Sequence, residues 1–295
     1  MKDFAAPIAT LHRFKSALAP WRVPILLVAL IGFAIGCAIS FRNLGVSPAT
    51  IEAGPLLAIL LLIIPATIAY SAVNLMLMAH AAKVKIGFLE AVRVSVFSSV
   101  AETLPIPGGA IVRGASLIKA GSSKVHSAEL VIAFSLLWIA VAGIGAGLAL
   151  IELGWPAIAL LGMCGASALA ICGWLAFRFG ALVAATAAGL RILGVGLMSL
   201  RLMLAFAAIG VGVAWLDSAT FAFATILGSA ASIVPAGLGL SEALSSIIAH
   251  PAGVLPAAAF LATALSRLLG LAVNILLALA YVRVGSPRGM KPSHA

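Results

Sequence analysis

Between Ser127 and Ile151 the chain runs for 25 residues with a single charged side chain, Glu129, and similar runs recur along its length. An α-helix rises about 1.5 Å per residue and the hydrocarbon core of a bilayer is about 30 Å thick, so roughly 20 apolar residues cross it. Runs of this kind at Val23–Ser40, Pro55–Met78, Ser127–Ile151, Pro156–Phe177, Val195–Leu216 and Pro256–Val282 exclude an ordinary soluble domain. They predict an all-α polytopic membrane protein, because a helix satisfies its own backbone groups where water is absent. Hydrophobic residues form 63% of the chain and charged residues 9%, against the quarter or so that soluble domains carry.

The net charge of +10 would suggest nucleic-acid binding in a soluble protein. Here the bases gather in short segments between the apolar runs: Arg13, Lys15 and Arg22; Lys83 and Lys85; Lys119 and Lys124; Arg178 and Arg191; Arg283, Arg288 and Lys291. That is the pattern of loops retained in the cytoplasm. It places both termini on the cytoplasmic side, with anionic headgroups rather than nucleic acid as neighbours; the membrane is expected to be a bacterial cytoplasmic (inner) one. Residues 1–22 read as a cytoplasmic amphipathic segment and 284–295 as a basic cytoplasmic tail. Cys37, Cys164 and Cys172 lie in apolar runs without CxxC spacing and read as small packing residues.

Two stretches break the helical pattern. Glu102 to Arg113 reads ETLPIPGGAIVR, and Ser232 to Glu242 reads SIVPAGLGLSE. Proline removes a backbone donor and glycine loosens the chain, so Pro105, Pro107, Gly108 and Gly109 mark one turn, and Pro235, Gly237 and Gly239 another. The unit from Lys83 to Lys124 has bases at both ends, which a full crossing would separate. A re-entrant hairpin keeps them on one side. The unit from Thr220 to Ala249 has no Lys or Arg and reads as a second hairpin entering from outside.

The order is therefore span, span, hairpin, span, twice over: about six full spans and two hairpins. Three crossings per half invert the second half relative to the first. Val23 to Pro156, Pro105 to Pro235 and Ser127 to Pro256 are each separated by about 130 residues. Residues 23–151 and 152–283 then read as two inverted membrane repeats, the arrangement of many secondary transporters; eight ordinary kinked spans are the alternative, with the same termini but with Lys119 and Lys124 on the outer side. Residues 180–194, rich in Ala and Gly, read as a cytoplasmic helical connection.

Charged residues inside a bilayer are candidates for function. Arg113 and Arg267 suit an anionic headgroup because a guanidinium presents a planar fork of donors. Glu102 and Glu242 balance them, bind a cationic part of the cargo, or exchange a proton. Alternatively Glu102–Arg113 and Glu242–Arg267 are internal ion pairs that hold the repeats together; the sequence leaves both readings open. Arg201 reads as lying near the cytoplasmic end of its span, within snorkelling reach. Asn74 and Asn274 read as interhelical hydrogen-bonding residues. Gly143, Gly145 and Gly147, with Gly210 and Gly212, read as close helix contacts. No Ser-His-Asp, Cys-His, HExxH or Walker pattern is present, so neither an enzyme, a metal nor a cofactor is expected.

The stretches PAGLGLSEALSSI and AAAFLATALSRLLGLAVNILLAL resemble the lysylphosphatidylglycerol synthase transmembrane family, the YbhN type. Pro235, Gly237, Gly239, Glu242 and Arg267 match the family's second-half pattern, and Pro107, Gly108, Gly109 and Arg113 its first-half pattern. The resemblance spans roughly residues 20–283. Two departures stand out: the family's double glycine is Ala236-Gly237 here, and the acid-and-arginine pair after the first hairpin is reduced to Glu129. The first motif is also similar to the Glu-x-x-Pro-x-x-Pro-Gly hairpin of DedA-type proteins. The resemblance implies lipid binding or translocation, since in members with an aminoacyl-transferase domain this region flips aminoacylated phosphatidylglycerol. Other members are associated with hopanoid or polyprenyl lipids. The expectation is therefore a flippase-like, non-enzymatic protein acting on an anionic or zwitterionic membrane lipid. A proton-coupled carrier of a small solute and a non-transporting scaffold are the alternatives, and assembly as a homo-oligomer stays open.

Overall fold

A computed structural model of the chain describes residues 22–45, 50–102, 107–230 and 238–284. The N-terminal amphipathic segment, the turn residues Pro105, Pro235 and Gly237, and the basic tail from 285 lie outside the described residues. Every regular element within them is a helix. In order these are α1 (Arg22–Leu44), α2 (Ala53–Ala81), α3 (Phe88–Ala101), α4 (Gly108–Lys119), α5 (Lys124–Ala149), α6 (Trp155–Phe179), α7 (Ala181–Ala208), α8 (Ser218–Ala230), α9 (Leu240–Ala249) and α10 (Pro256–Val284). Five of them, α2, α5, α6, α7 and α10, are long and apolar enough to cross a membrane. The chain is a multi-pass helical membrane protein.

Local sequence explains the boundaries. Ser123 caps α5, its hydroxyl accepting from His126 N at 3.2 Å. Pro156 sits in the first turn of α6, where its missing N–H costs nothing. Arg42, His80, Lys119, Arg178 and Arg283 occupy last turns and meet the negative helix ends there. Within α2, residues Ile59–Ile63 widen into a π turn. Pro65, lacking a donor and crowding the carbonyl of Leu61, is the cause. Gly180, at φ +103°, separates α6 from α7 by a single residue.

That last break differs from the sequence reading. Residues 181–194 are helical as expected, but they are no separate connection: they form the first half of the 28-residue α7, which ends at Ala208 rather than at Leu216. The segment ALVAATAAGL, after Gly180, is rich in alanine and holds no proline, so the helix runs through it unbroken. Gly210 and Gly212 consequently fall in the turn after α7, with open space where a side chain would project. The other spans lie within about four residues of expectation.

Lipid is as apolar as leucine, so helices here associate by close approach rather than by hydrophobic burial alone. Small residues accordingly fill the interfaces: Ala72, Ala91, Ala205, Ala222, Ala258 and Ala262 are fully buried. Gly143 faces Cys164, and a Cβ at Gly147 would lie 3.1 Å from Leu161 Cβ and 3.2 Å from its backbone. α5 packs along α6 and α8, while α10 packs along α1 and α3. α2 lies against α7. The short helices pair within each half, α3 with α4 and α8 with α9. Arg178 clasps the near end of α5 from α6, 3.7 Å from Glu129 and 3.2 Å from His126 Nε2.

Gly147→Val should force α5 away from α6 and lower stability by about 1–3 kcal/mol. Gly162→Val, on the open side of α6, should leave it nearly unchanged. Unfolding in detergent, followed by helical circular dichroism, compares the two; equal effects would contradict the packing.

Candidate functional site

Between the two halves lies a cavity of about 580 Å³, to which α2, α3, α4, α5, α7, α8 and α10 all contribute walls. Hydroxyls such as Ser71, Ser95, Ser135, Thr225 and Ser266 line much of it. Its charged lining is unbalanced: Arg113, Arg191, Arg201 and Arg267 stand against Glu102. A cation at the centre of a membrane helix costs about 2.5–3.5 kcal/mol, so four of them around one space require a physical account.

The first motif forms a pair across its turn. Arg113 Nη2 donates to Glu102 Oε1 at 3.1 Å, with the side chains 27% and 49% exposed. The adjacent glycines make the approach possible. A Cβ on Gly109 would collide with the Glu102 carboxylate, and one on Gly108 with the Ala101 carbonyl. Ser98 fastens the same spot, its hydroxyl donating to Gly109 O at 2.9 Å. Two glycines are needed here because α4 starts against the end of α3.

The second motif forms a deeper pair. Glu242 is fully buried and Arg267 is 11% exposed. Arg267 Nη1 donates to Glu242 Oε1 at 3.1 Å and Oε2 at 3.3 Å, while Nη2 donates to Ser241 Oγ at 2.7 Å. Glu242 Oε2 also accepts from Gly239 N at 2.8 Å, capping α9. Ser241 in turn donates to Thr225 O at 3.2 Å, a contact that the bare Gly228 backbone admits. One carboxylate thus ties α9 to its own turn and to α10, and α9 is fastened to α10 again by Thr263 and Ser245 at 3.0 Å.

The sequence reading missed two cavity arginines. Arg191, assigned there to a cytoplasmic segment, is 6% exposed within α7. Its Nη1 donates to Tyr70 OH at 2.8 Å. With the Asn74 amide oxygen turned toward it, Asn74 accepts from Nη1 at 2.9 Å and Nη2 at 3.0 Å. Its guanidinium carbon lies 5.3 Å and 5.4 Å from the ring centres of Phe134 and Trp138, in cation–π range. Gly194, one turn on, leaves room for Tyr70 and Trp138. Arg201 does not snorkel; its Nη2 donates to Ser266 O on α10, and Gly270 provides the clearance. The signal that would have found both was the absence of proline between Gly180 and Ala208. Once α7 starts at Ala181, Arg191 and Arg201 fall in its interior.

The two asparagines separate. Asn74 bonds across from α2 to α7 as expected, whereas Asn274 donates to Gly270 O of its own helix at 2.8 Å. Glu102, Arg113 and Arg267 line the same cavity; Glu242 pairs with Arg267 from behind its lining. No protein-family model matches the chain, and no curated protein matches it.

Removing one partner of a buried pair typically costs 3–5 kcal/mol, against 1 kcal/mol or less for an exposed pair. Glu242→Ala should therefore destabilise the protein by about 3 kcal/mol or more and Glu102→Ala by about 1 kcal/mol or less. Denaturant titration of the two variants in detergent checks the contrast, and equal losses would contradict it.

Proposed function

We propose that this protein binds an amphipathic lipid with an anionic or zwitterionic headgroup and moves it between the leaflets of the bacterial cytoplasmic membrane. The observation that carries this reading is the cavity itself: four guanidiniums and a hydroxyl-rich wall inside a bundle whose outer faces are apolar. A headgroup finds donors there while its tails remain among residues such as Met163, Leu169 and Phe177, exposed on α6. Arg113 and Arg267 engage the headgroup, and Glu102 and Glu242 set the charge around it. The likeness of both motifs to the lysylphosphatidylglycerol synthase transmembrane family supports the same class of cargo.

The lengths of the short helices support two re-entrant hairpins. α3 and α4 have 14 and 12 residues, α8 and α9 have 13 and 10. At about 1.5 Å per residue none exceeds about 21 Å, too short for the hydrocarbon core. Packing supports a repeat: α5 meets α6 and α8 as α10 meets α1 and α3, and α2 meets α7 across the middle. With α1 as a sixth crossing, three spans in each half invert the repeats and oppose the hairpins.

Proteoliposomes with lipid labelled in one leaflet test the function. Wild-type protein should speed exchange well above empty vesicles, and Arg113→Ala or Arg267→Ala should slow it at least about tenfold. Exchange no faster than in empty vesicles, for anionic and zwitterionic lipids alike, would sink the proposal. The hairpin has a separate check. In a background without Cys37, Cys164 and Cys172, Lys119→Cys should react with an impermeant maleimide only from the cytoplasmic side. Labelling from outside would make α3 and α4 a full crossing.

A further inference from the structure

Charge balance divides the four cavity arginines into two kinds. Arg113 and Arg267 each hold a carboxylate at 3.1 Å. Among the described residues, neither Arg191 nor Arg201 has a carboxylate in ion-pair range; their recorded partners are a phenol, an amide and a carbonyl. Arg191 is nine-tenths buried and Nε of both side chains is buried without an acceptor. Neutral dipoles and aromatic faces soften a buried cation but do not cancel it. Both residues nonetheless face a cavity with room for a ligand.

Their spacing matters as much as their charge. Both lie on α7, ten residues apart, which is about 15 Å along the helix axis, half the hydrocarbon thickness. Helical side chains lean the same way, toward the N-terminus, so their heads keep that separation. Their surroundings differ accordingly. Arg191 sits among Tyr70, Asn74 and the rings of α5, while Arg201 lies against α10 at Ser266 and Gly270. They are two places rather than one. Glu102 and Glu242 are engaged by the other two arginines, so among the described residues the cavity holds no free carboxylate for Arg191 or Arg201, and an anionic ligand can supply that charge.

We infer that Arg191 and Arg201 are two successive anion stations for the phosphate group of a phosphodiester cargo, with α7 as the rail along which that group advances through the bilayer. This rests on the transport reading for its direction of travel but not for its binding chemistry. Arg191 is the station built for orientation, since Tyr70, Asn74 and two rings fix its guanidinium plane. Arg201, held by one backbone carbonyl, is the looser one. Arg113 and Arg267, each already balanced by a carboxylate, engage the headgroup beside these stations.

The test uses the full-length protein with three probes: dihexanoyl phosphatidylglycerol, glycerol 3-phosphate and neutral dihexanoylglycerol. Binding is measured by titration calorimetry in nonionic detergent, and exchange in proteoliposomes made with phosphatidylglycerol. Arg191→Gln and Arg201→Gln should each slow exchange at least about tenfold while keeping phosphatidylglycerol affinity within about threefold, because one station remains. The double variant should lose both. Arg191→Lys and Arg201→Lys, which keep the charge, should retain binding, and monodisperse elution with an unchanged melting curve confirms folding. The inference is overturned if the double variant binds like wild type, if either Gln variant exchanges at the wild-type rate, or if dihexanoylglycerol binds as well as the phosphodiester. Complete loss of binding in one Gln variant also overturns it, since that indicates one joint site. If wild type binds dihexanoyl phosphatidylglycerol but exchanges no lipid, the transport reading fails alone, and loss of binding in the double variant still upholds the stations. Binding of glycerol 3-phosphate with the same dependence on both arginines upholds the anion chemistry and makes the source a soluble phosphate ester.

Discussion

A guanidinium inside an apolar bundle has to find compensating charge, dipoles or water, and most of this architecture follows from that requirement. Glu242 supplies the charge for Arg267, and in doing so it caps α9 and joins that helix to α10. The same carboxylate thus serves backbone, side chain and interhelix contact at once. Its complete burial makes the interaction strong in proportion to what its loss would strand. Glu102 does a weaker version of the same work for Arg113, its side chain half exposed, at the end of α3.

Close backbone approach is the second constraint, and it follows from the first. To bring Glu102 to Arg113, α4 must begin against the end of α3, and only glycine at 108 and 109 leaves space for the Ala101 carbonyl and the Glu102 side chain. Gly228, Gly194 and Gly270 repeat the device for Ser241, for Tyr70 with Trp138, and for Arg201. The glycines of this chain are therefore placed beside its polar groups as well as along its helix contacts. That placement ties helix packing directly to the electrostatics of the cavity.

Hydropathy made the helical class and most span positions legible, because runs near 20 residues and basic loops are set by bilayer thickness and charge. The pairing of Glu102 with Arg113 and of Glu242 with Arg267 was one of two readings the sequence left open, and both pairs form. Arg191 and Arg201 were not legible. Arg191 was assigned to a cytoplasmic helical connection and Arg201 to the near end of the span after it, whereas one helix starts at Ala181, fourteen residues before the expected Val195. Two arginines near a presumed end look solvated; the same two inside a helix become cavity groups. Nor could hydropathy foretell that Asn274 would bond to its own helix, because that depends on the side chain having no facing partner. The lesson is a physical one: a buried charge is identified by its depth, and depth depends on finding the helix breaker, here Gly180.

The central claim is that an anionic headgroup enters the space between the two halves rather than resting on the outside of the bundle. Photo-crosslinking with a phosphatidylglycerol that carries a diazirine in its headgroup reads this directly. The account predicts adducts on the cavity-lining stretches, around Val131–Ile139 of α5 and Arg191–Arg201 of α7. Adducts confined to the outer face of α6, around Ile158–Leu169, would contradict it.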